Sequence, residues 1–197
     1  MVDKIQMLKH ALTERGFAFS QFATAQQAAD YLDSKLDGVS IGIGGSQTIQ
    51  QMGLYPRLSA HNQVHWHWEG GKLSEAAAAQ VYLTSVNAIA QTGELVNIDG
   101  NCNRISASVF GHQAVYFLVG RNKLTPDYNS ALYRARNVAA PKRAQSMGRK
   151  TPCAAHADRC YDCKSPERIC RGLTVLWAKP SGIDYAEVIF IDEALGM

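Results

Sequence analysis

A chain of 197 residues that is 46% apolar and 19% charged describes a globular protein with one substantial core, a single domain with at most an appendage. A formal net charge of +3 with no long basic run gives no support to nucleic acid as a partner, and no apolar stretch approaches the roughly 18 residues of a membrane span. The opening Met-Val-Asp-Lys-Ile-Gln lacks a signal peptide's apolar core, and five cysteines, an odd number, favour reduced thiols, so a cytoplasmic location is expected.

Ile5, Leu8 and Leu12 recur at helical spacing, and Gly16 stands where that helix stops. Phe17, Phe19 and Phe22 follow in a short extended stretch. Thr24 is placed to cap a second helix that buries Ala25, Ala28, Ala29, Leu32 and Leu36. The β-prone run from Val39 ends in clustered glycines, including Gly44 and Gly45, and Ser46 opens the next helix. Glycines at such a handover let the backbone approach a ligand closely, and a helix start suits an anion. The spacing matches neither a phosphate loop with its lysine nor a GxGxxG fingerprint. Ile49, Met52 and Leu54 continue on the following helix. In His61 to Trp68 the residues His65 and His67 alternate with Trp66 and Trp68. A strand there would turn both histidines to one side, either as two ligands of a metal or as the polar face of a half-buried strand.

After an alanine-rich helix at Ala76 to Ala79, Val81 to Val86 reads as a buried strand ending at Asn87. Leu95 to Ile98 is another strand, running into Asp99-Gly100-Asn101-Cys102-Asn103-Arg104. A turn explains its Asp, Gly and Asn, while Arg104 is a natural anchor for a carboxylate or phosphate. Ile105 to Phe110 and Val115 to Val119 supply two more strand-like runs, the second ending at Gly120-Arg121-Asn122-Lys123. Alternation of this kind predicts an α/β layered fold with a mostly parallel sheet and helices on both faces. Such sheets bind ligands at the carboxyl ends of their strands, where Ser46, Asn87, Asp99, Asn103, Arg104, Asn122 and Lys123 all fall. Asp127 starts a helix through Ala131, Leu132, Ala135 and Val138 that Pro141 ends, and its Arg134 and Arg136 read as a solvated face.

The cysteine-rich loop at about 150–172 is basic and holds Cys153, Cys160, Cys163 and Cys170, separated by six, two and six residues. A Cys-x-x-Cys pair flanked by outer cysteines suits tetrahedral thiolate ligation of zinc or of an iron–sulfur cluster. Arg159, Lys164, Arg168 and Arg171 would offset the thiolate charge, and His156 is a substitute ligand. Buried free thiols or disulfides are the alternatives. Cys102, far away in sequence, is assigned to packing or loop chemistry and not to a fifth ligand. Leu173 to Ala178 and Ala186 to Ile191, joined through Pro180-Ser181-Gly182, read as a closing hairpin.

Taken together, Gly44-Gly45-Ser46-Gln47-Thr48, Met52-Gly53-Leu54, Asn87-Ala88-Ile89, the run from Thr92 to Gly100 and Asn103-Arg104 resemble the lactate-utilisation (LUD) domain family. So do Val119 to Lys123, Arg136 to Pro141, Thr151-Pro152-Cys153, the stretch Cys160 to Cys170, and Glu193 to Gly196. The likeness covers nearly the whole chain, which is read as one domain over residues 1–197. It implies the fold shared by glucosamine-phosphate deaminases, ribose-phosphate isomerases and CoA transferases. It also implies a part in lactate or related hydroxy-acid utilisation, with iron–sulfur or oxidoreductase partner proteins; a homo-oligomer is left open. On this reading Gly44, Gly45, Ser46, Thr48, Asn87, Asn103, Arg104, Asn122 and Lys123 hold a small anionic ligand. Cys102 stands where relatives usually carry glycine. Two alternatives remain: an isomerase- or transferase-like enzyme on a phosphorylated or CoA-linked molecule, with Asp99 as general base, and a non-catalytic sensor or scaffold using the same pocket.

Overall fold

The computed structural model describes residues 2–197. Helix α1 (Val2–Glu14) leads through Gly16, at φ 82°, into β1 (Ala18–Phe22). Thr24 caps α2 (Ala25–Lys35) with a complete capping box: its hydroxyl accepts from the Gln27 N–H, and the Gln27 side chain accepts from the Thr24 N–H. Then come β2 (Ser40–Ile43), two short helices α3 (Gln47–Gln51) and α4 (Leu54–Leu58), β3 (Gln63–Trp66), α5 (Leu73–Ala78) and β4 (Val81–Thr84). The middle of the chain supplies β5 (Ala88–Ala90), β6 (Leu95–Asp99), α6 (Asn103–Val109), β7 (Ala114–Gly120) and β8 (Leu124–Thr125). Helix α7 (Tyr128–Arg134) passes through a π-helical turn (Ala135–Ala139) into α8 (Ala140–Ser146), followed by α9 (Pro152–His156), β9 (Gly172–Leu176) and β10 (Tyr185–Ile191).

The expected α/β fold is present. Six strands form a sheet in the order β1-β10-β7-β4-β2-β3, every neighbouring pair parallel. Parallel pairing throughout brings the carboxyl ends of β2, β4 and β7 to one edge. Side chains alternate across this sheet: Tyr116 and Leu118 of β7 join a cluster with α2 and α4, while Val115, Phe117 and Val119 face α1. A smaller sheet, β8-β5-β6-β9, covers part of that second face and packs its alanines Ala88 and Ala90 against Ala131 and Ala135.

Four local expectations are overturned. Ile105 to Phe110 is not a strand but α6. The Asp99 carboxylate accepts the Arg104 N–H at 2.9 Å, and the Ser106 and Ser108 hydroxyls bond back to the carbonyls three residues earlier. The apolar pair Ile105 and Val109 then fits an i,i+4 face as well as an alternating one. The closing hairpin is absent: β9 pairs antiparallel with β6, whereas β10 lies between β1 and β7. Val188 to Ile191 are at most 1% exposed, and a strand buried on both faces belongs inside a parallel sheet. Pro141 does not end its helix; the wider π turn before it accommodates a residue with no N–H, and Pro141 stands in the first turn of α8 instead. Finally, His65 and His67 do not share a face, because β3 stops at Trp66 and His67 enters a 3₁₀ turn. His65 reaches Glu75 at 3.4 Å.

Near the amino ends of the strands, Glu187 of β10 is 1% exposed and accepts hydrogen bonds from Lys35 (2.8 Å), Tyr31 (2.9 Å) and Tyr185 (2.8 Å). No helix among the described residues is long and apolar enough to cross a membrane.

Candidate functional site

At the opposite edge, the loops after β2, β4, β6 and β7 surround a cavity of about 370 Å³. Gly45, Ser46, Thr48, Asn87, Asp99, Asn103, Arg104 and Lys123 all line it, so residues distant in sequence meet at one place. Gly44 and Asn122 stand behind the wall. A Cβ at Gly44 would meet the Tyr82 hydroxyl at 2.6 Å and the Arg104 Cγ at 2.7 Å, so a bare backbone is what lets the arginine stem cross there. Asn122 accepts the Leu195 N–H at 3.1 Å and so holds the carboxyl-terminal segment beside the cavity.

Ser46 caps α3, its oxygen accepting the Ile49 N–H at 3.3 Å. That helix is only five residues long, too short for a substantial dipole, so the positive charge at the cavity is that of side-chain cations. Six basic side chains border the cavity, Arg104, Lys123, Arg143, Arg149, Arg168 and Arg171, against the two carboxylates Asp99 and Glu167.

Lys123 is the most unusual of them. It is 3% exposed, and its ammonium donates to the hydroxyls of Thr48 (2.8 Å) and Ser85 (2.7 Å). Ser85 in turn donates to the Leu118 carbonyl at 2.5 Å. Burial, reinforced by the charges of Arg134 and Arg104, pushes the Lys123 ammonium down to about 7. A third ammonium proton exceeds these two partners, and the surrounding charge is positive. Gly196 packs over the group: a Cβ there would lie 2.6 Å from Thr48 Oγ1 and 3.1 Å from Lys123 Nζ.

Arg104 is held from below, donating to the Ile98 carbonyl at 2.7 Å and lying 3.6 Å from Asp99. Asp99 combines this contact with capping α6, which orients the arginine and leaves the carboxylate at the cavity wall. Across the opening, Trp68 stacks on Trp66 at 5.2 Å and carries the Arg143 guanidinium over its ring at 5.1 Å. Burial lowers the Arg143 pKa, helped by Arg104. His67 is also pushed down by burial, and its Nδ1 is buried without a partner.

Ser85, His67, Trp68, Arg143 and Arg149 are pocket residues that sequence reading did not assign there. Arg134 is not a solvated charge either. Its guanidinium donates to the carbonyls of Asn87, Asn122 (2.9 Å) and Met197 (3.3 Å), tying three loops of the site together.

The four loop cysteines line a second, small cavity of about 20 Å³ that shares Ala140, Arg168 and Ile169 with the first. All five cysteines are free thiols. Among the described residues, no three His, Cys, Asp or Glu side chains already stand in an arrangement that holds a metal ion. His156 does not border the thiol cavity; its ring lies against Tyr161 at 5.9 Å. Cys102 is apart as well, at φ 60° before α6, against Gly172.

No curated protein matches the chain. The crystal structure of a DUF162 family protein from Deinococcus radiodurans is similar over 96% of this chain and 97% of that one, with a TM-score of 0.60 and 14% sequence identity, a likeness of fold. The model of the LUD domain matches residues 5–191, and the chain belongs to the LUD-domain family.

Proposed function

We propose that the protein holds a small hydroxy acid of the lactate class in the basic cavity and serves the utilisation of such acids. The observation that carries this reading is Lys123: a buried ammonium bonded only to hydroxyls, beside Arg104, at the edge of a cavity rich in positive charge. A carboxylate placed there offsets charges that folding has already desolvated. The Ser46 hydroxyl and the amides of Asn87 and Asn103 border the same space and suit a neighbouring hydroxyl group. Membership of the LUD-domain family supports the class of acid. Oxidation of a hydroxy acid releases two electrons and two protons, and in this reading an iron–sulfur or oxidoreductase partner protein takes the electrons.

Thermal-shift titration with lactate, a phosphosugar and an acyl-CoA tests the assignment. Lactate is expected to raise the melting temperature, and Arg104→Ala to abolish that rise while the far-ultraviolet spectrum is kept. A shift with lactate that survives in Arg104→Ala would remove the pocket assignment. Response to the phosphosugar or acyl-CoA alone, with turnover lost in Asp99→Asn, would favour an isomerase- or transferase-like enzyme in which Asp99 is the base. That alternative rests on Asp99 standing at the cavity wall.

A further inference from the structure

The fifteen residues 157–171 contain no helix or strand and not one buried residue. Loops of that length without structure of their own are uncommon in a compact domain and call for something that holds them. Disulfides do not supply it here, and neither does an apolar core. Yet Cys160, Cys163 and Cys170 from this loop, and Cys153 from α9 before it, all border the same 20 Å³ cavity. Their surroundings suit negative sulfur. The Asp162 N–H donates to Cys160 Sγ at 3.3 Å, with Asp162 at φ 47°. Arg168 donates to Cys170 Sγ at 3.3 Å, and Arg136, paired with Asp162 at 3.0 Å, borders the same cavity as Cys160. The Arg168 Nε is buried with no partner.

We propose that Cys153, Cys160, Cys163 and Cys170 bind one tetrahedral thiophilic ion, Zn²⁺ by its chemistry, in the cavity they share. Four thiolates around a divalent ion leave a net charge of about −2, which the guanidiniums of Arg136 and Arg168, shared with the Asp162 carboxylate at 3.0 and 3.9 Å, offset in part. Cys160 and Cys163, with two residues between them, have the usual spacing of a paired zinc grip, and the outer cysteines complete the tetrahedron. The cavity holds about one or two water-sized spheres, room for a single ion. Binding turns the thiols inward and releases one proton from each; no oxidant or reductant is involved. The ion would tie a loop without a core of its own to α8 and α9.

The full chain, purified under reducing conditions without added metal, is expected to carry one zinc per chain and no acid-labile sulfide. After chelation, one equivalent of Co²⁺ should restore thiolate charge-transfer absorption and the intense visible bands of tetrahedral cobalt. Cys163→Ser should weaken zinc binding by about tenfold or more and lose the four-thiolate spectrum, because one of four ligands is gone. Cys102→Ser, outside the cavity, should keep both stoichiometry and spectrum. Should Cys163→Ser fail to fold, the cobalt titration of the unaltered chain still decides. Absence of both native zinc and cobalt uptake by the reduced chain would overturn the site. Iron with stoichiometric sulfide would overturn the single ion, and equal loss in Cys102→Ser would overturn the ligand set.

Discussion

A buried ammonium bonded to two hydroxyls makes the stability of this protein depend on pH and, on the proposed reading, links it to anion binding. Lys123 sits near 7 in the folded chain, against about 10.4 for a free lysine. Between those values the unfolded chain binds a proton that the folded chain does not, so the lysine's contribution to stability becomes less unfavourable as pH rises through that window. Below about 7 both states are protonated and the full cost of burying the charge applies. Anion binding runs the other way, since it needs the ammonium. Lactate affinity is therefore expected to fall above pH 7, while this contribution to the melting temperature of the ligand-free protein rises. Lys123→Met should remove both trends. It should also stabilise the ligand-free protein below pH 7 by roughly 1–3 kcal/mol, once the hydroxyls it leaves unpaired are counted. Calorimetric melting and lactate titration on either side of pH 7 check this, and a destabilised variant that still binds lactate would contradict it. Asp99 was legible in the sequence because it follows directly on an apolar run, and Arg104 and Lys123 because they stand in the short polar turns that such runs lead into. Ser85, Arg143 and Trp68 were not, because their place depends on which strands become neighbours. Arg134 misled for a related reason: a guanidinium on a helix flank looks solvated until three loop carbonyls close over it.

At the scale of elements, the amino edge of the sheet shows what β10 needs in order to lie inside it, between β1 and β7. Glu187 is buried between β1 and β7, and burial alone would raise its pKa. The hydrogen bonds from Lys35, Ser20, Tyr185 and Tyr31 outweigh that and hold it below its ordinary value. Lys35 is enclosed by the rings of Tyr31 (4.9 Å), Tyr116 (5.3 Å) and Tyr185 (4.7 Å), so its charge depends on this carboxylate. Glu187→Gln is expected to cost about 2–3 kcal/mol in chemical denaturation at neutral pH, less than a wholly buried pair because Lys35 is one-third exposed. Glu187's contribution is present above the ordinary glutamate range and fades as pH falls through its depressed folded value, so the difference between variant and parent should shrink in acid. Equal stability at neutral pH would show the cluster to be inert. The same comparison explains what local pattern can and cannot reveal. The cap at Thr24 and the helix behind it were readable because their hydrogen bonds close within four residues. Ile105 to Val109 was misread because its apolar positions suit both periods, and the deciding bond comes from Asp99, outside the run. The partners of β9 and β10 were unreadable, since a turn signal between two strands does not say whether they pair with each other or with distant ones.

The whole molecule places the thiol cavity directly behind the anion cavity. Loop 157–171 supplies Glu167, Arg168, Ile169 and Arg171 to the wall of the larger pocket, while its cysteines face the smaller one. Few bonds fix that wall: the Arg171 N–H donates to the Asp99 carbonyl at 3.0 Å, and the Lys150 N–H to the Glu167 carboxylate at 2.9 Å. Arg168 belongs to both sites, with one nitrogen on Cys170 and its side chain in the pocket lining. An ion that fixes the cysteines therefore also fixes the position of two arginines around the ligand. Chelated protein is expected to bind lactate about fivefold or more weakly than zinc-loaded protein, the lower end of ordinary coupling between sites. Linkage makes this reciprocal: saturating lactate must tighten zinc binding by the same factor. Isothermal titration of lactate with and without zinc, and of zinc with and without lactate, yields both factors. Agreement between them at a value above one establishes coupling. A common value of one means that the two sites share a wall but no energy, and would place the ordering of the loop entirely on the side of folding.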